Sequence, residues 1–162
     1  MCYHTLCNNA NGGKTLMAEK KTVFLTGASG HMGWAGFKEL YKKKDKLNIV
    51  LLLRDSEKNR KKFANYLNDP SVKIVWGDLK KYDDVLKCVE GSDYVLHVGG
   101  MVSPSADYYP TRTIQTNTTA AKNIVDAVKA QPNKDEIKVV YIGTVAETGD
   151  RNAPIHWART GD

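Results

Sequence analysis

Nowhere in these 162 residues is there an apolar run long enough to cross a bilayer, and no secretory pattern opens the chain. No membrane partner is expected, and a cytoplasmic protein is the plain reading. Cysteine is scarce. Cys2, Cys7 and Cys88 are widely separated and odd in number, which argues against a disulfide framework and fits a reducing compartment. Cys2, His4 and Cys7 have no second ligand pair nearby, so no metal site is expected. Internal repeats are missing, and so are the aromatic-rich strand motif and the helix-turn-helix pattern that accompany a nucleic-acid footprint. The formal net charge of +6 is carried partly by Lys42-Lys43-Lys44, Arg60-Lys61-Lys62 and Lys80-Lys81. The two larger clusters fall on predicted helices with apolar opposite faces. They read as solvated helix surface, and a basic nucleic-acid binder is the weakest of the readings considered.

What is present is enough for one core, with 41% hydrophobic residues in a chain of single-domain length. Residues 1–21 lack hydrophobic periodicity and contain Asn8-Asn9-Ala10-Asn11-Gly12-Gly13, so they read as a disordered tail. Met17 is a natural start before the first strand, which makes the preceding segment a start-site misassignment or a cloning remnant. Gly13-Lys14-Thr15 looks like the end of a P-loop, but Asn8 stands where that motif needs glycine and no strand leads in. From residue 22 to 162 the chain forms the folded domain. Strands are expected near 22–26, 48–53, 72–76, 93–98 and 137–143, and helices near 31–45, 56–68, 81–89 and 111–130. The alternation predicts an α/β fold, a doubly wound parallel sheet with right-handed crossovers and strand order 3-2-1-4-5. Asp69-Pro70 breaks the second helix and Gln131-Pro132-Asn133 ends the fourth. In that fourth helix Ile114, Ala121, Val125 and Val128 form one apolar stripe, with Asn117 near it. The last twenty residues read as loop.

The chain is organised around Thr22-Val23-Phe24-Leu25-Thr26-Gly27-Ala28-Ser29-Gly30-His31-Met32-Gly33, an apolar strand running into three evenly spaced glycines and then a helix pattern. Unpaired amides at a helix N-terminus bind phosphate, and the aligned peptide dipoles favour negative charge there. Gly27 allows the tight turn, Gly30 lets backbone approach a pyrophosphate, and Gly33 lets the helix lie close to the sheet. The second strand ends in Arg54-Asp55. An acid at this place accepts hydrogen bonds from the adenosine ribose, whereas arginine pairs with a 2'-phosphate. Arg54 first and Asp55 second, with Lys58 as a helper, looks like the reductases that use NADPH, which tips the reading toward NADP over NAD. The competing reading makes Asp55 the helix N-cap and Arg54 a surface charge. His97, inside an apolar strand, reads as a buried, hydrogen-bonded structural histidine.

With Thr26 before it, the Gly-x-x-Gly-x-x-Gly spacing resembles the short-chain dehydrogenase/reductase superfamily, in particular its extended branch of epimerases, dehydratases and carbonyl reductases. The resemblance implies a Rossmann-type fold and an NAD(P) cofactor, with hydride transferred to or from a carbonyl or carbinol carbon. It implies that the loop from Gly27 through Ala28, Ser29, Gly30, His31 and Met32 to Gly33 holds the pyrophosphate. Asp78 and Leu79 would border the adenine, and Gly99 and Gly100, where the family usually has alanines, would lie beside the phosphates and ribose. Thr144 would polarise the substrate oxygen, supported by Asn117. The substrate implied is a sugar nucleotide or another carbonyl compound, and a full-length member is open to homodimer formation.

The family's hydride chemistry uses a tyrosine with a lysine four places on, because a phenol of pKa about 10 needs nearby positive charge to act near neutrality. None of the eight tyrosines has that lysine. Tyr108 is followed by Arg112, which lies before the stretch carrying Asn117 and in the wrong part of the fold. In the family the pair falls a few tens of residues beyond the Ser/Thr position. The chain therefore reads as the N-terminal, cofactor-binding part of a longer enzyme, truncated before the substrate lobe and inactive by itself. An isolated chain of this kind would expose apolar surface and invite association. The alternative is a non-catalytic NAD(P)-binding regulatory module.

Overall fold

A computed structural model describes residues 19–144. The expected tail and final loop lie outside them, save that Lys21 opens the first strand and Lys20 Nζ donates to the Lys44 carbonyl at 2.8 Å. Five parallel strands form the sheet: β1 (Lys21–Thr26), β2 (Leu47–Leu53), β3 (Val72–Trp76), β4 (Tyr94–His97) and β5 (Lys138–Tyr141), in the order β3-β2-β1-β4-β5. This is the topology expected from the alternation of strand and helix patterns. Register follows burial. Val23 lies beside Ile49 on one side and Tyr94 on the other, so apolar side chains coincide across the central strands.

Strand residues alternate between two faces, and each face has its own helices. Phe24, Val50, Leu52 and Val95 pack beneath α3 (Tyr82–Val89) and α5 (Pro110–Lys129) with Val85, Cys88, Val89 and Ile124. Leu25, Ile49, Leu51 and Leu53 pack on the opposite face, where Phe37 of α1 (His31–Tyr41) meets Phe63 of α2 (Glu57–Phe63). Trp34, Phe37 and Tyr41 of α1 make ring contacts with Phe63 of α2 or with Tyr66 just beyond it, several of them edge to face. A fully buried Leu or Phe contributes about 2–3 kcal/mol relative to exposure, which makes these two layers the main source of stability.

Boundaries differ from the sequence expectation where helices end. The second helix stops at Phe63 and continues as a 3-10 turn over Ala64–Tyr66. Its cap is Ser56, whose Oγ accepts from Asn59 N at 3.2 Å; the N-cap reading of Asp55 is thereby corrected. A short helix, α4 (Ser105–Tyr108), precedes α5 and was not expected. The apolar stripe expected on the long helix is corrected in part, since Val128 packs against the core but the stripe as a whole does not. Ala120, Asn123, Ile124 and Ala127 are its buried residues, while Ile114 and Val125 are exposed. The helix is rotated so that small residues meet α3 closely. Ile114 and Val125 are thus exposed large apolar residues, as are Val139, Val140, Tyr141 and Ile142 on and just past β5.

Candidate functional site

The site begins where β1 stops. Gly27 turns the chain with φ at +72°, a conformation that a residue with Cβ rarely adopts. A Cβ on Gly27 would sit 2.7 Å from Gly99 Cα, and one on Gly33 would sit 2.1 Å from the Gly27 carbonyl oxygen. Bare backbone at these two positions lets β1, the start of α1 and the exit of β4 converge. Gly30 is different. It is the N-cap of α1, its extended backbone suits any residue, and a Cβ there would meet only the Gly27 oxygen, at 3.4 Å. No side chain caps α1 and no acid stands in its first turn, so its leading amides lack helical acceptors.

These amides border a cavity of about 490 Å³ at the carboxyl ends of the central strands. Gly27, Ser29, Gly30, His31, Met32 and Gly33 line one side of it; Arg54, Asp78 and Leu79 line another, and Gly99 and Gly100 a third. Eleven of the twelve residues expected around a cofactor thus surround one space. Ala28 is fully buried, and its methyl belongs to the core beneath α1. Arg54, Lys80 and Arg112 outnumber Asp78 among the charged residues lining the cavity, which favours an anion.

Each wall is held from behind. Lys62 of α2 donates to the Ser29 carbonyl at 2.9 Å and lies 4.3 Å from the Trp34 ring. Partial burial lowers its ammonium pKa, with Lys58 and Lys38 adding to the effect. Leu79 is tied to α5 because Asn123 Nδ2 donates to its carbonyl at 2.8 Å, and Asp78 N donates to Asp84 Oδ2 at 3.1 Å. Asn117 grips Met101 with both halves of its amide, accepting from Met101 N at 2.8 Å and donating to Met101 O at 3.0 Å. Asn117 does not itself line the cavity; it fixes the strand exit that does. Thr144 is exposed beyond β5 and also stands outside the cavity lining.

At the outer rim Arg54 faces the cavity and Asp55 does not. Arg60 donates to Asp55 through Nε at 2.6 Å and Nη2 at 2.8 Å, and this pairing holds the carboxyl below its ordinary pKa. Lys58 lies outside the lining.

Met101, Val102, Arg112, Thr116 and Ala120 line the cavity without having been expected. Arg112 falls within the first turn of α5, on the same helix as Asn117 and among the residues lining the cavity. Helical spacing from Asn117 would have pointed to Thr116 and Ala120 only with the rotation of α5 known. Burial raises the Cys88 thiol to about 12, so it has no nucleophilic character near neutrality. Among the described residues no group of three His, Cys, Asp or Glu side chains is arranged to hold a metal ion, and no helix is long and apolar enough to cross a membrane.

The sequence profile of the NAD dependent epimerase/dehydratase family matches residues 23–160. A UDP-glucose 4-epimerase of Rickettsia bellii is 33% identical over 128 residues, covering 76% of this chain and 36% of the relative. The chain therefore spans little more than a third of that relative's length. Among solved structures, Pen from Bacillus thuringiensis superposes with a TM-score of 0.65 at 23% identity, over 76% of this chain and 37% of that one. UDP-glucose 4-epimerase from Bifidobacterium longum, in complex with NAD+ and UDP, gives 0.62 at 17% identity, over 80% of this chain and 38% of its own. At these identities the structural likeness shows the fold.

Proposed function

Because the chain belongs to the NAD dependent epimerase/dehydratase family, we propose that its cavity holds an NAD(P) dinucleotide and that it serves hydride transfer at a carbonyl or carbinol carbon. The observation that carries this reading is the convergence of Gly27, Gly33 and Gly99, which brings backbone amides to an anion-favouring cavity with no side chain in the way. The cradle fits a diphosphate. The first-turn amides of α1 would take its oxygens, Arg54 the adenosine ribose or its 2'-phosphate, and Asp78 with Leu79 the adenine. When bound, the nicotinamide supplies the hydride acceptor or donor. Clamping the dinucleotide along one wall fixes which face of the ring meets substrate.

On this reading Thr144 donates a hydrogen bond to the substrate oxygen, and Asn117 acts through Met101 to keep the strand exit in place. A sugar nucleotide is the substrate class suggested by the UDP-glucose 4-epimerase relatives. Arg54 supports NADP over NAD, since it lines the cavity while the neighbouring acid is engaged elsewhere.

Calorimetric titration of the full chain with NADPH and NADH tests the binding. Gly30→Val should weaken either dinucleotide at least about tenfold while the protein stays folded, because the added side chain projects at the pyrophosphate position and α1 accepts it there. Unchanged affinity in that variant would remove the loop from the site. Arg54→Ala should reduce the preference for NADPH, and an unaltered preference would remove Arg54.

A further inference from the structure

The rim beside β2 carries an acid one residue past an arginine, and these two side chains would act in opposition on an adenosine ribose. Asp55 would accept from the ribose hydroxyls and repel a 2'-phosphate; Arg54 would attract it. We propose that Arg60 is a specificity-determining residue: it draws Asp55 away from the ribose and leaves Arg54 to set the preference for a 2'-phosphate. The inference rests on the dinucleotide reading above and adds a residue that does not itself touch the ligand.

The geometry is a latch held from two sides. Both carboxylate oxygens of Asp55 accept from one guanidinium, at 2.6 and 2.8 Å, in the planar fork that only arginine offers. The same guanidinium lies 4.9 Å from the ring of Trp76, the last residue of β3. Asp55 has no other fixed duty, since Ser56 caps α2. The Arg54 backbone is held separately, its carbonyl accepting from Asn59 Nδ2 at 2.8 Å, and its side chain lines the cavity. The Asp55–Arg60 pair is neutral as a unit, so the field at the ribose position is governed by Arg54. Removing Arg60 alone would release a carboxylate next to Arg54, free to pair with it or to take a ribose hydroxyl. Removing both partners would leave no charge behind. Both side chains are about half exposed, and exposed pairs contribute little to stability, so the variants should fold.

The test is a double-mutant cycle on the full chain, with NADPH and NADH titrated separately against wild type, Arg60→Ala, Asp55→Ala and the double variant, and thermal melts run alongside. The wild type should prefer NADPH. Arg60→Ala should cut the NADPH-to-NADH affinity ratio about tenfold, and Asp55→Ala should keep it or raise it. The double variant should return to the Asp55→Ala value. A ratio unmoved by Arg60→Ala would overturn the latch while leaving the dinucleotide site standing. So would a double variant as low as Arg60→Ala, because Arg60 would then act on the phosphate itself. A wild type that prefers NADH would overturn the 2'-phosphate reading together with the latch, and one that binds neither would overturn the site.

Discussion

Thr26 Oγ1 and His97 Nδ1 lie 2.8 Å apart in the buried interior, and two further hydrogen bonds fix the direction of this one. Thr26 Oγ1 accepts from Val98 N at 3.1 Å and from Gly99 N at 2.9 Å. Its own proton therefore goes to His97, which must be neutral at Nδ1 and carry its hydrogen on Nε2. A threonine at the end of β1 thus secures the exit of β4 just where both meet the cavity.

Thr26→Val keeps the shape of the side chain and removes the oxygen. Two backbone amides lose their acceptor, so urea unfolding should show a loss of about 2–4 kcal/mol. Thr26→Ser, which keeps the oxygen, should cost less than about 1 kcal/mol.

Burial lowers the pKa of His97. The unfolded chain then takes up the histidine proton first as pH falls. Stability attributable to His97 is fully present above about 6.5, the ordinary histidine value, falls as pH drops below it, and levels off beneath the folded-state pKa. Denaturant midpoints measured from pH 7.5 to 5 should fall in wild type, with a slope no steeper than about 1.4 kcal/mol per pH unit from this group. His97→Gln should lack that component. Equal slopes in the two proteins would show that His97 is not the responsible group.

The glycines differ in what surrounds them, and alanine substitutions should rank accordingly. A Cβ on Gly33 would meet backbone at 2.1 Å, and Gly33→Ala should cost more than about 3 kcal/mol or prevent folding. On Gly99 it would meet Leu79 Cδ1 at 3.0 Å, and Gly27 N and Thr26 Oγ1 each at 3.1 Å, so Gly99→Ala should cost about 1–2 kcal/mol. Gly100→Ala, with Asn117 Oδ1 at 3.4 Å, should lie within about 1 kcal/mol of wild type. Thermal melts of the three variants check the order.

Asn117→Ala removes both bonds to Met101. Hydrogen exchange followed by mass spectrometry should show protection lost around residues 99–102 and retained in β1, because the clamp is local to the β4 exit. Equal exchange in the two proteins would deny Asn117 its positioning role.

The alternation of Leu25 with Phe24, and of Ile49, Leu51 and Leu53 with Val50 and Leu52, belongs to a strand buried on both faces, and it reads directly from sequence because adjacent side chains must point to opposite layers. Strand order follows from the same pattern, since parallel neighbours need crossover helices of one hand. The glycine loop was legible for a related reason: a turn at positive φ and an approach of backbone to backbone exclude Cβ wherever they occur. Where α5 turns its small residues was not legible. Ile114 and Val125 are more apolar than Ala120 and Asn123, yet the helix buries the latter pair, because contact with α3 rewards small side chains and Asn123 gains the Leu79 carbonyl. Arg54 and Asp55 make the same point at the rim. Sequence placed both charges at the end of β2, but only the approach of Arg60 and Trp76 from other elements decided which of them faces the cavity, since ion pairs form by distance in space and not by order along the chain.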